Sequence, residues 1–172
     1  MRRRGVRRLP DGRIEIRIGS AERAALASLA EQLLPVLRGE GDVEAAGGSV
    51  RARLFPAAYS DPLDELEFRE LVGEETRNTR AGALEAFAAT LRGGTAGTRS
   101  WTTALSTEEA DAWLSAVNDS RLTLGMLAGV ETEDDWEAVY ARADVTSALL
   151  AYLGWLQEQL LGVLMGGLPD PD

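Results

Sequence analysis

Cysteine, histidine and lysine are all missing from this chain of 172 residues. Without cysteine and histidine, the usual zinc sites, thiol nucleophiles and serine–histidine triads are excluded, and without lysine so are Schiff-base mechanisms. Carboxylates remain, and they can bind Mg²⁺ or Ca²⁺ or act as an acid–base pair. An enzyme with a carboxylate-only site therefore stays open as one alternative.

Long apolar runs are also missing, although 45% of the residues are hydrophobic. We find no run of the ~20 apolar residues that a membrane span requires. The basic N-terminus is not followed by the apolar core of a signal peptide. We therefore expect a cytoplasmic protein that does not contact a membrane, with one domain over residues 1–172.

Positive charge is scarce, since the net charge is −10, and this argues against a general nucleic-acid binder. The charge is uneven, however, because residues 1–17 hold seven arginines against two acids. We expect residues 1–8 to form a disordered arginine-rich arm that contacts an acidic partner, nucleic acid or the protein's own body. Its arginines are Arg2, Arg3, Arg4, Arg7 and Arg8.

The first third of the chain has the signals of a small sheet and one helix. Residues 5–18 predict a β-hairpin, with "PDG" as the turn and isoleucines alternating with polar residues. Ser20 can cap a helix over residues 21–38. The segment "VRARLF", residues 50–55, could form a third strand before Pro56.

The rest of the chain is mostly helical in pattern. We expect helices over residues 61–72, from after a break at Gly73 to Leu91, from the capping box "STEE" to Ala128, after "TEDD", and over residues 145–165. "RSWTTAL" could be a short strand, and residues 168–172 a frayed tail. The fold class is thus α+β and mainly α: an N-terminal β-hairpin, further short strands, and about six helices.

The stretch "WLSAVNDSRLTLGML", residues 113–127, places polar residues inside an apolar helix pattern. On a helical wheel Arg121 falls within the apolar stripe, Asn118 lies beside it and Asp119 lies on the far side. Glu67 falls within the apolar stripe of the helix over residues 61–72, so we predict a buried Glu67–Arg121 pair, with Arg77 as a competing partner for Glu67. The alternatives are a polar pocket or partner groove formed by Asn118, Arg121 and Glu67, and an Arg121 that reaches solvent.

Two further features are less specific. The acidic run "ETEDDWE" is typical of a solvated helix start, where acids favour the helix dipole, and it lacks the spacing of a calcium loop. Tyr152 and Trp155 lie on the shoulder of the last helix's apolar stripe. They could pack in the core or form a dimer contact.

Several stretches together resemble one actinobacterial family. They are "LFPAAY" (54–59), "EFR" (67–69), "WLSAVNDSRLTLG" (113–125), "EDDW" (133–136) and "LGWLQEQL" (153–160). The family is the domain-of-unknown-function family numbered two thousand and seventeen, whose members include AosR-type oxidation-sensing regulators. The family-typical positions here are Glu67, Trp113, Asn118, Asp119 and Arg121.

The resemblance implies a non-enzymatic, cytoplasmic regulator without a cofactor or metal. It would act by protein–protein contact in stress-linked transcription regulation through a sigma factor. The charge distribution separately predicts that DNA is bound only weakly, through the arginine-rich arm. Because the chain has no cysteine, it cannot sense oxidants through a thiol pair. A dimeric adaptor or structural protein linked to the Clp pathway is the other alternative.

Overall fold

The computed structural model describes residues 4–41, 44–45 and 48–166, and its fold is α+β and mainly helical, as the sequence predicts. The strands are β1 Gly5–Arg8, β2 Ile14–Ile18, β3 Glu44–Ala45, β4 Gly48–Ser49, β5 Thr95–Ala96 and β6 Trp101–Leu105. The helices are α1 Ser20–Arg38, α2 Val50–Leu54, α3 Pro62–Phe68, α4 Glu74–Arg92, α5 Thr107–Leu127, α6 Asp135–Ala141 and α7 Val145–Met165. The predicted frayed tail, residues 168–172, lies outside the described residues.

The larger sheet is antiparallel, with the strand order β1-β2-β6-β5. The predicted hairpin is confirmed, because β1 pairs with β2 and the alternating isoleucines of β2 are fully buried. Residues Gly5–Arg8 therefore do not belong to a disordered arm, contrary to the sequence-based expectation. Val6 is buried opposite Ile16, and the backbone of β1 is satisfied by β2, which together order this segment.

The predicted third strand over residues 50–55 is wrong, because Val50–Leu54 forms the short helix α2. The Ser49 side chain accepts a hydrogen bond from the Ala52 N–H and so caps this helix. Val50 and Leu54 are four residues apart and both fully buried, so one helical face reaches the core.

The predicted break at Gly73 is also absent. After α3 the chain continues through one π-helical turn, Arg69–Gly73, directly into α4. Gly73 has the helical angles φ −63° and ψ −35°, so it does not end the helix. Residues 62–92 therefore form one long, continuous helical segment.

The core lies between the sheet, α1 and the long helices α4, α5 and α7. The capping box of α5 is confirmed, since Ser106 accepts from the Glu109 N–H and the Glu109 side chain accepts from the Ser106 N–H. α7 begins and ends at the predicted residues. Its predicted apolar stripe is buried in the middle but not at the start, where Val145 is 84% exposed.

Among the described residues, α7 is the helix that is long and apolar enough, by length and composition alone, to cross a membrane. Leu153, Leu156 and Leu160 are nevertheless fully buried against the core. The core helix of a globular protein can be as long and as apolar as a membrane-spanning helix.

Candidate functional site

The polar stretch of α5 sends its side chains to different neighbours, because α5 packs between α4, α7 and α2. Asp119 is only 2% exposed and faces α4, where Arg80 Nη1 donates to its Oδ1 at 3.0 Å. The wheel placed Asp119 on the side away from the apolar stripe, and that side turns out to be buried as well. A helix buried on several sides does not have the single core face that a wheel assumes.

The Asp119–Arg80 ion pair joins the core to a partly open surface. The Arg80 side chain is 29% exposed, and its Cζ lies 5.2 Å from the centroid of the Phe55 ring. Burial raises the pKa of the Asp119 carboxyl, while the charge of Arg80 and a hydrogen bond from Asn118 oppose that rise. Sequence reasoning missed this pair, because no pattern placed Arg80 opposite Asp119.

Arg121 is not paired with Glu67, so the predicted core ion pair is wrong. Its Nη1 donates to Gln157 Oε1 on α7 at 2.6 Å, and its Cζ lies 5.7 Å from the centroid of the Trp136 ring. Gln157 Nε2 in turn donates to Asn118 Oδ1 at 3.4 Å. A neutral amide thus contacts both the partly buried guanidinium and Asn118, while the buried Arg121 Nε has no hydrogen-bond partner among the described residues.

Glycines on both sides make room for this arrangement. A side chain at Gly125 on α5 would meet the Trp136 ring at 3.0 Å, and one at Gly154 on α7 would touch the Arg121 guanidinium at 3.8 Å. Arg121 also lines a surface cleft of about 230 Å³ together with Arg53 and Trp136. The predicted polar pocket of Asn118, Arg121 and Glu67 is present only in part: Gln157 contacts both Asn118 and Arg121, whereas Glu67 lies exposed on α3.

Trp113 is a core residue. It is fully buried, its Nε1 donates to Thr90 Oγ1 at 2.7 Å, and its ring lies 4.7 Å from Phe87 and 6.3 Å from Trp101, centroid to centroid. A side chain held in this way cannot meet a partner without unfolding its surroundings. The most prominent residue of the sequence motif therefore builds the scaffold.

The arginines of the N-terminus are held by the protein itself where they are described. Arg4 Nη1 lies 2.6 Å from Glu22 Oε1, and Arg7 Nε lies 2.8 Å from Glu15 Oε1. Arg8 donates to the backbone carbonyl groups of Gly12 and Val163. Arg2 and Arg3 lie outside the described residues. Of the three predicted contacts of the arm, the one with the protein's own body is therefore present.

Glu67 lies on the exposed side of α3 together with the leucines that the wheel assigned to the core. Leu63 is 77% exposed, Leu66 55% and Leu71 73%. The wheel correctly placed these residues on one face but could not say that this face points to solvent. None of residues 62–80, which we call the outer segment, is buried.

Carboxylates surround the exposed leucines. Glu67 and Glu70 share the helix face of Leu63 and Leu66, and Glu70, Leu71, Glu74 and Glu75 line one shallow surface depression. Within the described part of the chain, no hydrogen bond or ion pair engages these carboxylates. The outer segment thus combines apolar and acidic side chains on one accessible surface.

The structure also shows the surroundings of Tyr152 and Trp155 and of the acidic side chains. Tyr152 and Trp155 are partly buried against the core, with ring centroids 5.6 Å apart, and do not form an exposed apolar patch. Within residues 4–41 and 48–166, no three acidic side chains are grouped so that they could hold a metal ion.

The fold and these surfaces define a mainly helical α+β protein with one acidic, leucine-bearing helical surface. The family described as "Domain of unknown function (DUF2017)" matches residues 2–164, so the chain belongs to this family. No curated protein and no solved structure matches the chain.

Proposed function

We propose that the protein is a non-enzymatic regulator that binds another protein through the outer segment. The observation that supports this proposal is the exposure of Leu63, Leu66 and Leu71 on a helical segment in which no residue is buried. Contiguous apolar side chains on the surface of a protein are typical of an interaction site.

The free energy available from covering this surface is substantial. Complete burial of one leucine side chain stabilises a complex by roughly 1.5–3 kcal/mol, so three leucines can supply much of the affinity of a regulatory complex. The neighbouring Tyr59 ring is 50% exposed and packs edge-on against Phe68 at 5.5 Å between centroids. Tyr59 is thus a further exposed apolar side chain next to the outer segment.

The carboxylates around the leucines indicate the charge of the partner. Glu67, Glu70, Glu74 and Glu75 are exposed, and charges of the opposite sign on a partner would speed association and fix its orientation. The surface therefore suits an amphipathic helix that carries apolar residues on one face and arginine or lysine beside them.

A sigma factor matches this chemistry and agrees with the resemblance to AosR-type regulators. Sigma factors bind DNA, and DNA-binding helices carry the basic residues that an acidic surface would attract. We therefore propose a cytoplasmic protein that takes part in stress-linked transcription regulation by contacting a sigma factor. Thiol sensing is not part of this proposal, since the chain has no cysteine.

The test measures binding of purified sigma factors from the same genome by calorimetry. The double variant Leu63→Asp/Leu66→Asp should weaken binding at least about tenfold, because two apolar contacts are lost. The control Leu127→Asp changes a leucine that is 47% exposed at the end of α5 and should bind like the parent. Unchanged binding by the double variant, or no binding of any sigma factor by the parent, would reject the proposal.

Charge reversal tests the electrostatic part separately. Glu67→Arg together with Glu70→Arg should slow association and weaken its dependence on salt, because attraction between exposed charges is screened by ions. Arg99→Glu, a charge reversal on an exposed residue outside the outer segment, provides the control.

A further inference from the structure

The inner side of the outer segment faces α2 and forms a cleft of about 300 Å³. Its polar lining contains four arginines, Arg51, Arg69, Arg77 and Arg80, and one carboxylate, Glu65, which is paired with Arg69. Its apolar lining comes from Leu54, Phe55, Pro56 and Phe68. Such a concentration of guanidinium groups is unusual in a chain whose net charge is −10.

Three of these arginines are already held in place. Arg80 is anchored by the buried carboxylate of Asp119, Arg69 donates through Nε to Glu65, and Arg51 donates to the Gly41 carbonyl. A guanidinium has five N–H donors, so one contact with a carboxylate leaves donors for a second acceptor. The anchoring contacts fix the side chains before a ligand arrives, which lowers the entropy lost on binding.

Arg77 differs from the other three. It lines the cleft and is exposed, and none of the described residues forms a hydrogen bond or ion pair with it. Among the described residues, no acceptor therefore occupies the N–H donors of its guanidinium. A bound oxyanion would pair with this guanidinium through charge-assisted hydrogen bonds.

We propose that this cleft is a binding site for a small organic oxyanion: a carboxylate or phosphate ester attached to an apolar body. The anionic group would be bound by Arg77 and the free donors of Arg80. The apolar body would pack on Phe55, Phe68 and Leu54. The volume lies at the lower end of the range for ligand pockets, which fits a small molecule better than an extended peptide.

The site is distinct from the proposed docking surface. The leucines that would meet a protein partner lie on the outward face of the helical segment, whereas Phe68, Arg69 and Arg77 line the cleft on its inner side. A test of the cleft needs no partner protein, so the two proposals can fail independently.

Isothermal titration calorimetry of the full chain tests the proposal. The probes are two naphthyl anions, the carboxylate of 2-naphthaleneacetic acid and 2-naphthyl phosphate. Two compounds serve as controls: acetate, which has the charge without the naphthyl ring, and 2-naphthaleneethanol, which has the ring without the charge. We expect saturable binding with one site for at least one of the two naphthyl anions, and the stronger of them identifies carboxylate or phosphate as the preferred group. Both controls should bind about tenfold more weakly or not saturate, because each lacks the charge or the apolar body.

Variants locate the site. Arg77→Gln should weaken binding about tenfold without changing the melting temperature, since it removes one charge-assisted contact to the ligand and no hydrogen bond or ion pair within the described residues. Arg99→Gln removes the same charge from an exposed residue away from the cleft and should bind like the parent. No saturable binding of either naphthyl anion, equal binding by Arg77→Gln and the parent, or an equal loss in Arg99→Gln would each overturn the proposal.

Discussion

The long helical segment has two halves with opposite surroundings. In the outer segment, residues 62–80, no residue is buried, whereas the following residues Ala81, Leu84, Phe87 and Leu91 are buried in the core. Both halves carry apolar residues at helical spacing, but the residues that are buried in the core all lie in the second half. An amphipathic pattern thus shows that a helix has an apolar face. It does not show whether that face is buried by the same chain or remains exposed.

The boundary between the halves lies at Arg80, the residue that binds Asp119. Before it, none of the residues of the segment is buried. Immediately after it, Ala81 and Leu84 lie in the core. The ion pair with Asp119 therefore lies at the boundary between the exposed and the buried half.

The two halves should differ most in how a leucine-to-alanine substitution changes the free energy of unfolding. Leu84→Ala should destabilise the protein by about 2–5 kcal/mol, because it leaves a cavity in the core. Leu71→Ala should change the free energy of unfolding by no more than about 0.5 kcal/mol, since Leu71 is 73% exposed. Urea denaturation of both variants measures the contrast, and equal losses would show that the outer segment is buried after all.

A smaller loss is expected at the boundary. Asp119→Ala should cost about 1–3 kcal/mol, because Arg80 loses its charged acceptor and a small void remains. Urea denaturation gives the value, and Glu85→Ala, which removes the exposed Arg38–Glu85 ion pair, is the control with an expected cost below about 1 kcal/mol. A cost for Asp119→Ala no larger than that of the control would contradict the anchoring role.

The pH dependence of stability tests the same carboxyl. Because burial raises the pKa of Asp119 in the folded state, the folded protein binds this proton more tightly than the unfolded chain. The contribution to stability is fully present below the ordinary pKa of 3.8 and is lost as the pH rises through the raised folded value. Unfolding measured from pH 4 to 7 should show this loss in the parent and not in Asp119→Asn; parallel curves would contradict it.

Arg121 gives a third, still smaller effect. Arg121→Ala should cost about 1 kcal/mol, because the lost partner is the neutral Gln157 and the guanidinium is only partly buried. A buried pair with Glu67 would instead have made the same substitution cost about 3–5 kcal/mol. Thermal and urea denaturation distinguish the two values.

The smallest expected effect has the opposite sign. Gly73→Ala should stabilise the outer segment by about 0.5 kcal/mol, because Gly73 has helical angles and an added Cβ would meet only the Arg69 Cβ at 3.7 Å. Gly94→Ala is the contrasting control, since Gly94 has φ +76° and an added Cβ would lie 2.7 Å from the Thr102 carbonyl oxygen. Urea denaturation should show a gain for the first variant and a loss for the second; a loss at Gly73 would mean that the π-helical turn requires glycine.

Much of the fold could be predicted, because its signals are local. The capping residues Ser106 and Glu109, the alternating isoleucines of β2 and the apolar periodicity of α7 each act within a few neighbouring residues. The predicted strand over residues 50–55 was wrong because the local pattern is ambiguous there: Val50 and Leu54 fit both a short strand and one turn of helix. There the Ser49 cap and the burial of both apolar residues favour the helix.

The candidate surfaces could be predicted only in part. The polar stretch of α5 was recognised from the sequence, but its partners were not, because Arg80 and Gln157 lie 39 and 36 residues away from Asp119 and Arg121. The arginine cleft was missed entirely, since Arg51 and the residues of α4 are separated along the chain and meet only after α2 packs against the core.

Composition and local pattern therefore decide which chemistry this chain can use and where most of its helices and strands lie. The absence of cysteine, histidine and lysine holds in any fold, and caps and periodicity act through neighbouring residues. Packing between distant segments decides the rest: Asp119 binds Arg80, Arg121 binds Gln157, and the leucines of α3 remain in solvent. These outcomes depend on which helix faces fit together in space, and a periodic pattern carries no information about the neighbour that will cover a face.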